Sequence, residues 1–106
     1  MLDDVTLSTV SDAAQSDLIS AGNLVLTAAG DITLTDGDSN GSAIAATGNL
    51  RIEATGVGSD VVINSVISST ANNMTVKAAQ DIAMNANVNL GASGSLTMDA
   101  GRDVLM

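Results

Sequence analysis

Apolar and polar residues alternate along this chain in short bursts, and the bursts return in phase. Four segments align: GNLVLTAAGDITL (22–34), GNLRIEATGVGSDVVI (48–63), NNMTVKAAQDIAM (72–84) and GSLTMDAGRDVLM (94–106). In each, alternate residues are apolar: Leu24 and Leu26, Leu50 and Ile52, Met74 and Val76, Leu96 and Met98. The residues between them (Val25, Arg51, Thr75, Thr97) take the opposite face. A period of two is the signature of a strand. A second strand follows a short turn, at Ile32/Leu34, Val61/Ile63, Ile82/Met84 and Val104/Met106. A weaker third run passes through Leu18/Ile19, Ile44, Val66/Ile67 and Val88/Leu90. Before the first full unit, DDVTL (3–7) matches the GDITL and RDVLM of later units.

Three short strands per repeat predict an all-β chain, a parallel β-helix (β-solenoid) of about four coils with three short strands in each. One coil cannot bury its inward face alone, but stacked coils can, because each inward residue then lies ~4.8 Å from its equivalent. The chain reads as a single domain, 1–106, with a half coil over 1–21 and coils starting near 22, 48, 72 and 94. An antiparallel sandwich also uses many short strands, but it gives no reason for the same pattern to return at equal phase. The wealth of Thr, Val, Ile, Asn and Gly, with no 3.6 period, argues against helix. The local exception is SDAAQSDLIS (11–20), where Asp12 as N-cap and Gln15 reaching back would fit one helical turn.

The turns repeat as well. AAGD, AAQD, AGRD and the longer ATGVGSD all end in Asp, at Asp31, Asp81, Asp103 and Asp60, with Asp4 in the half unit. Each carboxylate is expected to accept hydrogen bonds from the amides of its own turn and to face water; the alternative is a cation bridging the column. Asn23, Asn49 and Asn73, followed by Ser95, form another column, expected to hydrogen-bond along the axis. The stretch TDGDSNGSA (35–43) contains D-x-D-x-N-G, the first half of a calcium loop. The twelfth position of such a loop needs a bidentate acid, and here it is Thr47. A tight exposed turn requires the same residue types, so the loop reads as a turn. A weak Ca2+ site from Asp36, Asp38 and Asn40 is the alternative, and no other cofactor is expected.

Composition narrows the chemistry. The chain has no Phe, Trp, Tyr, His, Cys or Pro, yet 45% of it is apolar. The core must therefore be a thin, regular stack of aliphatics, each worth roughly 1.5–3 kcal/mol when buried. Net charge is −9, with Arg51, Lys77 and Arg102 the only basic residues. This disfavours nucleic acid and anionic membrane surfaces as partners. No apolar run approaches ~18 residues, so membrane insertion is not expected. The N-terminus MLDDVTLSTV does not read as a signal peptide. Without His or Cys, acid/base and nucleophilic catalysis lose their usual groups. Lys77 is the one candidate base for a Ser–Lys pair, at an outward position where a protonated amine is expected. Asp81, Asp103 and Arg102 would serve a polysaccharide-acting β-helix enzyme, but no long loops build a groove around them. Stacking on sugars needs aromatics. The outward column Thr6, Thr33, Val62, Ala83, Leu105 is not the continuous Thr face of an ice-binding β-helix. The chain is expected not to be an enzyme.

At AGNLVLTAAGDITL and DAGRDVLM the chain resembles the haemagglutinin repeats of filamentous-haemagglutinin-like bacterial exoproteins. These are large adhesins of the two-partner secretion type. The resemblance covers most of 22–106 and implies a right-handed parallel β-helix in a secreted or bacterial cell-surface protein. It also implies a shaft segment, which would meet a host or neighbouring-cell surface through parts not in this chain. A second reading is a subunit that assembles end to end. The chain begins and ends in second-strand position, at Val5–Leu7 and Val104–Met106, with no proline-bearing or charged cap to blunt the edges.

Overall fold

The computed structural model describes residues 5–6, 18–37, 39, 41–69, 73–90 and 94–106. These carry thirteen strands and no helix. In chain order the strands are β1 (Val5–Thr6), β2 (Leu18–Ser20), β3 (Leu24–Ala28), β4 (Ile32–Leu34), β5 (Ser42–Ala46), β6 (Leu50–Ala54), β7 (Val61–Ile63), β8 (Val66–Ser69), β9 (Met74–Ala78), β10 (Ile82–Met84), β11 (Val88–Leu90), β12 (Leu96–Ala100) and β13 (Val104–Leu105). The helical turn that would fit 11–17 lies outside the described residues, while Leu18–Ser20 is strand.

Every strand pairs in parallel with the strand three places along the chain. The result is a β-solenoid with three sheets. One has five strands in the order β1-β4-β7-β10-β13; the others run β11-β8-β5-β2 and β12-β9-β6-β3. Four coils of three strands thus follow β1. The in-phase repeat dictates the register: Leu24 lies over Leu50, Leu50 over Met74, and Met74 over Leu96. The second-strand column runs Val5, Ile32, Val61, Ile82, Val104, and the third Leu18, Ile44, Ile67, Val88. Purely parallel pairing excludes the sandwich.

The core is the set of inward columns. Ile32, Leu34, Ile44, Ile52, Ile63, Ile67, Met74, Val76 and Ile82 are fully buried. One column is Ala28, Ala54, Ala78 and Ala100, the last inward position of each first strand. There the chain turns into the next sheet within three residues, so the corner has room only for methyl groups. At β5 the register slips between Ser42 and Ile44, and Ala43 is buried as the bulged residue. The three extra residues of ATGVGSD form a projecting turn closed by the Ser59 amide donating to the Gly56 carbonyl (3.0 Å). Gly58 takes φ +78° in this turn, a conformation other side chains resist, and Val57 is fully exposed at its tip.

Candidate functional site

The repeated polar residues form axial ladders. Asn23 Oδ1 accepts from the Asn49 amide (2.8 Å), Asn49 Oδ1 from the Asn73 amide (3.0 Å), and Asn73 Oδ1 from the Ser95 amide (3.1 Å) and hydroxyl (3.0 Å). The column thus stitches coil to coil, through side chain to backbone rather than amide to amide. Gly48 makes it fit, since a Cβ there would collide with Asn23 Oδ1. The Asp column works the same way. The Asp60 amide donates to Asp31 (2.9 Å), the Asp81 amide to Asp60 (3.0 Å) and the Asp103 amide to Asp81 (3.2 Å). This corrects the expectation that each carboxylate caps its own turn: the acceptor and the amide sit in successive coils. The reason is geometric, because equivalent residues of parallel coils lie only ~4.8 Å apart.

Arg102 closes the end of this column. Its Nε donates to Asp81 Oδ1 (2.9 Å) and its Nη2 to Asp81 Oδ2, a bidentate clamp, with Asp103 Oδ2 at 3.7 Å from Nε. Hydrogen bonding to Arg102 holds the Asp81 carboxyl below its ordinary value, aided by the guanidinium charge and the Asp103 amide and opposed by burial. The same bonds raise the Arg102 guanidinium above its ordinary range. A carboxylate held this way is a weak base with its lone pairs occupied. Asp81, Asp103 and Arg102 do come together, as a structural clamp at a coil corner.

On the first-strand outer face, Thr27, Glu53, Lys77 and Asp99 share one register position, as the repeat predicts. Lys77 Nζ lies 3.7 Å from Asp99 Oδ2. Glu53 instead binds Arg51 on its own strand, with Arg51 Nη2 2.7 Å from Glu53 Oε2. The expectation that Lys77 sits between two carboxylates is corrected accordingly: Arg51, two residues away on the same face, competes successfully for Glu53.

In the 35–43 loop, the Gly41 amide donates to Asp36 Oδ2 (2.6 Å). Ser39 and Gly41 have positive φ (68° and 87°). Asp36 thus closes the turn as an acceptor; Asp38 and Asn40 lie outside the described residues. Among the described residues no group of three or more acidic side chains is placed to hold a metal ion.

The last coil differs from those beneath it. Its inward residues are uncovered on one side: Leu96 is 37% and Val104 38% exposed, against 1% for Leu50 and 0% for Val61 in the same columns. Leu105 and Met106 are also exposed.

No family model, curated protein or solved structure matches the chain. Its functional features must therefore be read from this geometry.

Sequence reasoning located both ladder columns and the outward charge row. It missed the Arg102 clamp, although Arg102 precedes Asp103 in the repeated turn and the coil below supplies Asp81 at the matching place. It also missed a third ladder, in which Asn85 Nδ2 donates to Asn64 Oδ1 (2.8 Å). The signal was present, since both Asn residues directly follow the second strand of their unit.

Proposed function

We propose that this chain is a structural shaft segment of a bacterial secreted or surface adhesin, holding distance and presenting neighbouring domains. The observation that carries this reading is the coil-by-coil stacking, with axial hydrogen bonds running along the Asn and Asp columns beside an aliphatic core. Such an arrangement resists bending and offers a protease little unpaired backbone. The haemagglutinin-like repeat pattern supports the adhesin setting. Contact with a host or neighbouring cell is assigned to parts outside this chain. In the test, the chain is placed between two fluorescent domains, and antibodies to it are applied to intact cells of the source bacterium. A narrow, fixed inter-dye distance with surface labelling is expected. A broad distance distribution, or labelling only after permeabilisation, defeats the proposal.

A second reading, end-to-end assembly, is favoured by a specific observation. The inward columns end on the partly exposed Leu96 and Val104, and β11, β12 and β13 are each the outermost strand of their sheet. Unpaired strand edges over an apolar surface are a template for further strands.

A further inference from the structure

The strand count of the three sheets is unequal, and this restricts how two copies can join. Each coil contributes one strand to each sheet, yet one sheet has five strands and the other two have four. If a second copy continues the β11 and β12 sheets without a gap, its β2 lies on β11 and its β3 on β12. The repeat along the axis is then four layers. The five-stranded sheet has one strand too many for that repeat: β13 of the first copy and β1 of the second claim the same place, beside β4 of the second copy. The two strands are matched for it. β1 pairs with β4 through Val5 opposite Ile32 and Thr6 opposite Thr33, while β13 presents Val104 and Leu105 in the same register positions of the sheet. In sequence, Asp4-Val5-Thr6-Leu7 and Asp103-Val104-Leu105-Met106 are the same element of the repeat.

We propose that the chain assembles head to tail with a second copy by strand replacement, β13 of one copy displacing β1 from β4 of the next. This rests on the end-assembly reading and adds its mechanism. The exchange gives up one pairing of two residues. It gains three pairings, β11 with β2, β12 with β3 and β13 with β4, together with burial of Leu96 and Val104 against the next coil. β1 is tethered to its own copy, so its local concentration is high, and it acts as an internal competitor that keeps the chain monomeric when dilute.

Engineered disulfides separate the outcomes, since the chain has no cysteine of its own. Within one copy, Thr33 and Leu105 lie three strand spacings apart in the sheet order β4-β7-β10-β13, roughly 14 Å, too far to bridge. Under strand replacement they become opposite neighbours across the junction. The Thr33→Cys/Leu105→Cys variant, oxidised at high concentration, is therefore expected to give a ladder of covalent multimers, with each single variant giving dimers at most. The Thr6→Cys/Leu105→Cys variant is expected not to give that ladder. The Val5→Pro/Thr6→Pro variant removes the backbone donors of β1, and its assembly midpoint in sedimentation is expected about tenfold or more lower in concentration, because the competitor is gone. A covalent ladder from the Thr6→Cys/Leu105→Cys variant instead would show copies stacking with β1 in place, overturning replacement but keeping end assembly. A protein monomeric at every concentration, with neither cross-link, overturns both. An unchanged or higher midpoint for the proline variant also overturns replacement.

Discussion

Asp81 carries the densest polar contacts of the structure, and its chemistry gives a direct pH prediction. Its carboxyl is held below the ordinary value by Arg102. A carboxyl depressed on folding contributes stability that is fully present above its unfolded value, about 3.9, and lost as pH falls through the lower folded value. The Arg102→Gln variant should therefore melt below the wild type at pH 7, and the two melting curves should converge toward pH 2. An equal deficit at both pH values would mean that Arg102 acts through packing of its stem. Burial within one column gives a second residue-scale contrast. Leu50 and Leu96 occupy equivalent inward positions, but Leu50 is 1% exposed and Leu96 37%. Leu50→Ala should cost roughly 2–5 kcal/mol in denaturant unfolding, and Leu96→Ala distinctly less. Equal losses would place the end of the core elsewhere.

Strand pairing is where the sequence was most legible, because a period-two pattern leaves only one face for the core and a one-residue slip would turn every side chain over. The in-phase return of Leu24, Leu50, Met74 and Leu96 was enough to give register in all three sheets. Side-chain partners were less legible. Glu53 has Lys77 one coil away and Arg51 on its own strand, and nothing in the repeat decides between them; the extended reach of the guanidinium does. The Asp and Asn ladders were visible as columns, but the identity of the donor depended on the stacking distance between coils. The bulge at Ala43 was not legible, since one extra alanine leaves no mark on an apolar run. The outer charge row is testable as an element. Lys77→Glu should lower the melting temperature slightly at low salt, and added salt should erase most of the difference, as the contact is exposed and worth about 0–1 kcal/mol. Asp99→Lys should restore the loss better than Glu53→Lys, because Lys77 faces Asp99 at 3.7 Å while Glu53 is held by Arg51. Better rescue by Glu53→Lys would show that Arg51 does not hold Glu53 in solution.

At the scale of the molecule, a solenoid is held by interfaces between neighbouring coils, so stability is distributed along its axis and an interior coil counts twice. The coil containing β5, β6 and β7 has a neighbour on each side, whereas the coil of β11, β12 and β13 has a neighbour on one side only. A charge placed in the two coils should have unlike consequences. At Ile52, which is fully buried, an aspartate enters an aliphatic stack with no cation to meet it, and desolvation of the unpaired charge is costly. The loss breaks both interfaces of that coil and leaves too few intact coils to bury a core, so Ile52→Asp should unfold the chain as a whole. At Met98, in the same column but only partly buried, the carboxylate can reach solvent past the open face. Met98→Asp should loosen β12 and β13 while the coils beneath stay folded. Amide hydrogen exchange reads this directly: fast exchange confined to 96–106, with protection retained at 50–54 and 74–78. Global loss of protection in Met98→Asp would mean that the last coil is part of a single cooperative unit. A folded, cooperatively melting Ile52→Asp variant would count against the stacked core itself.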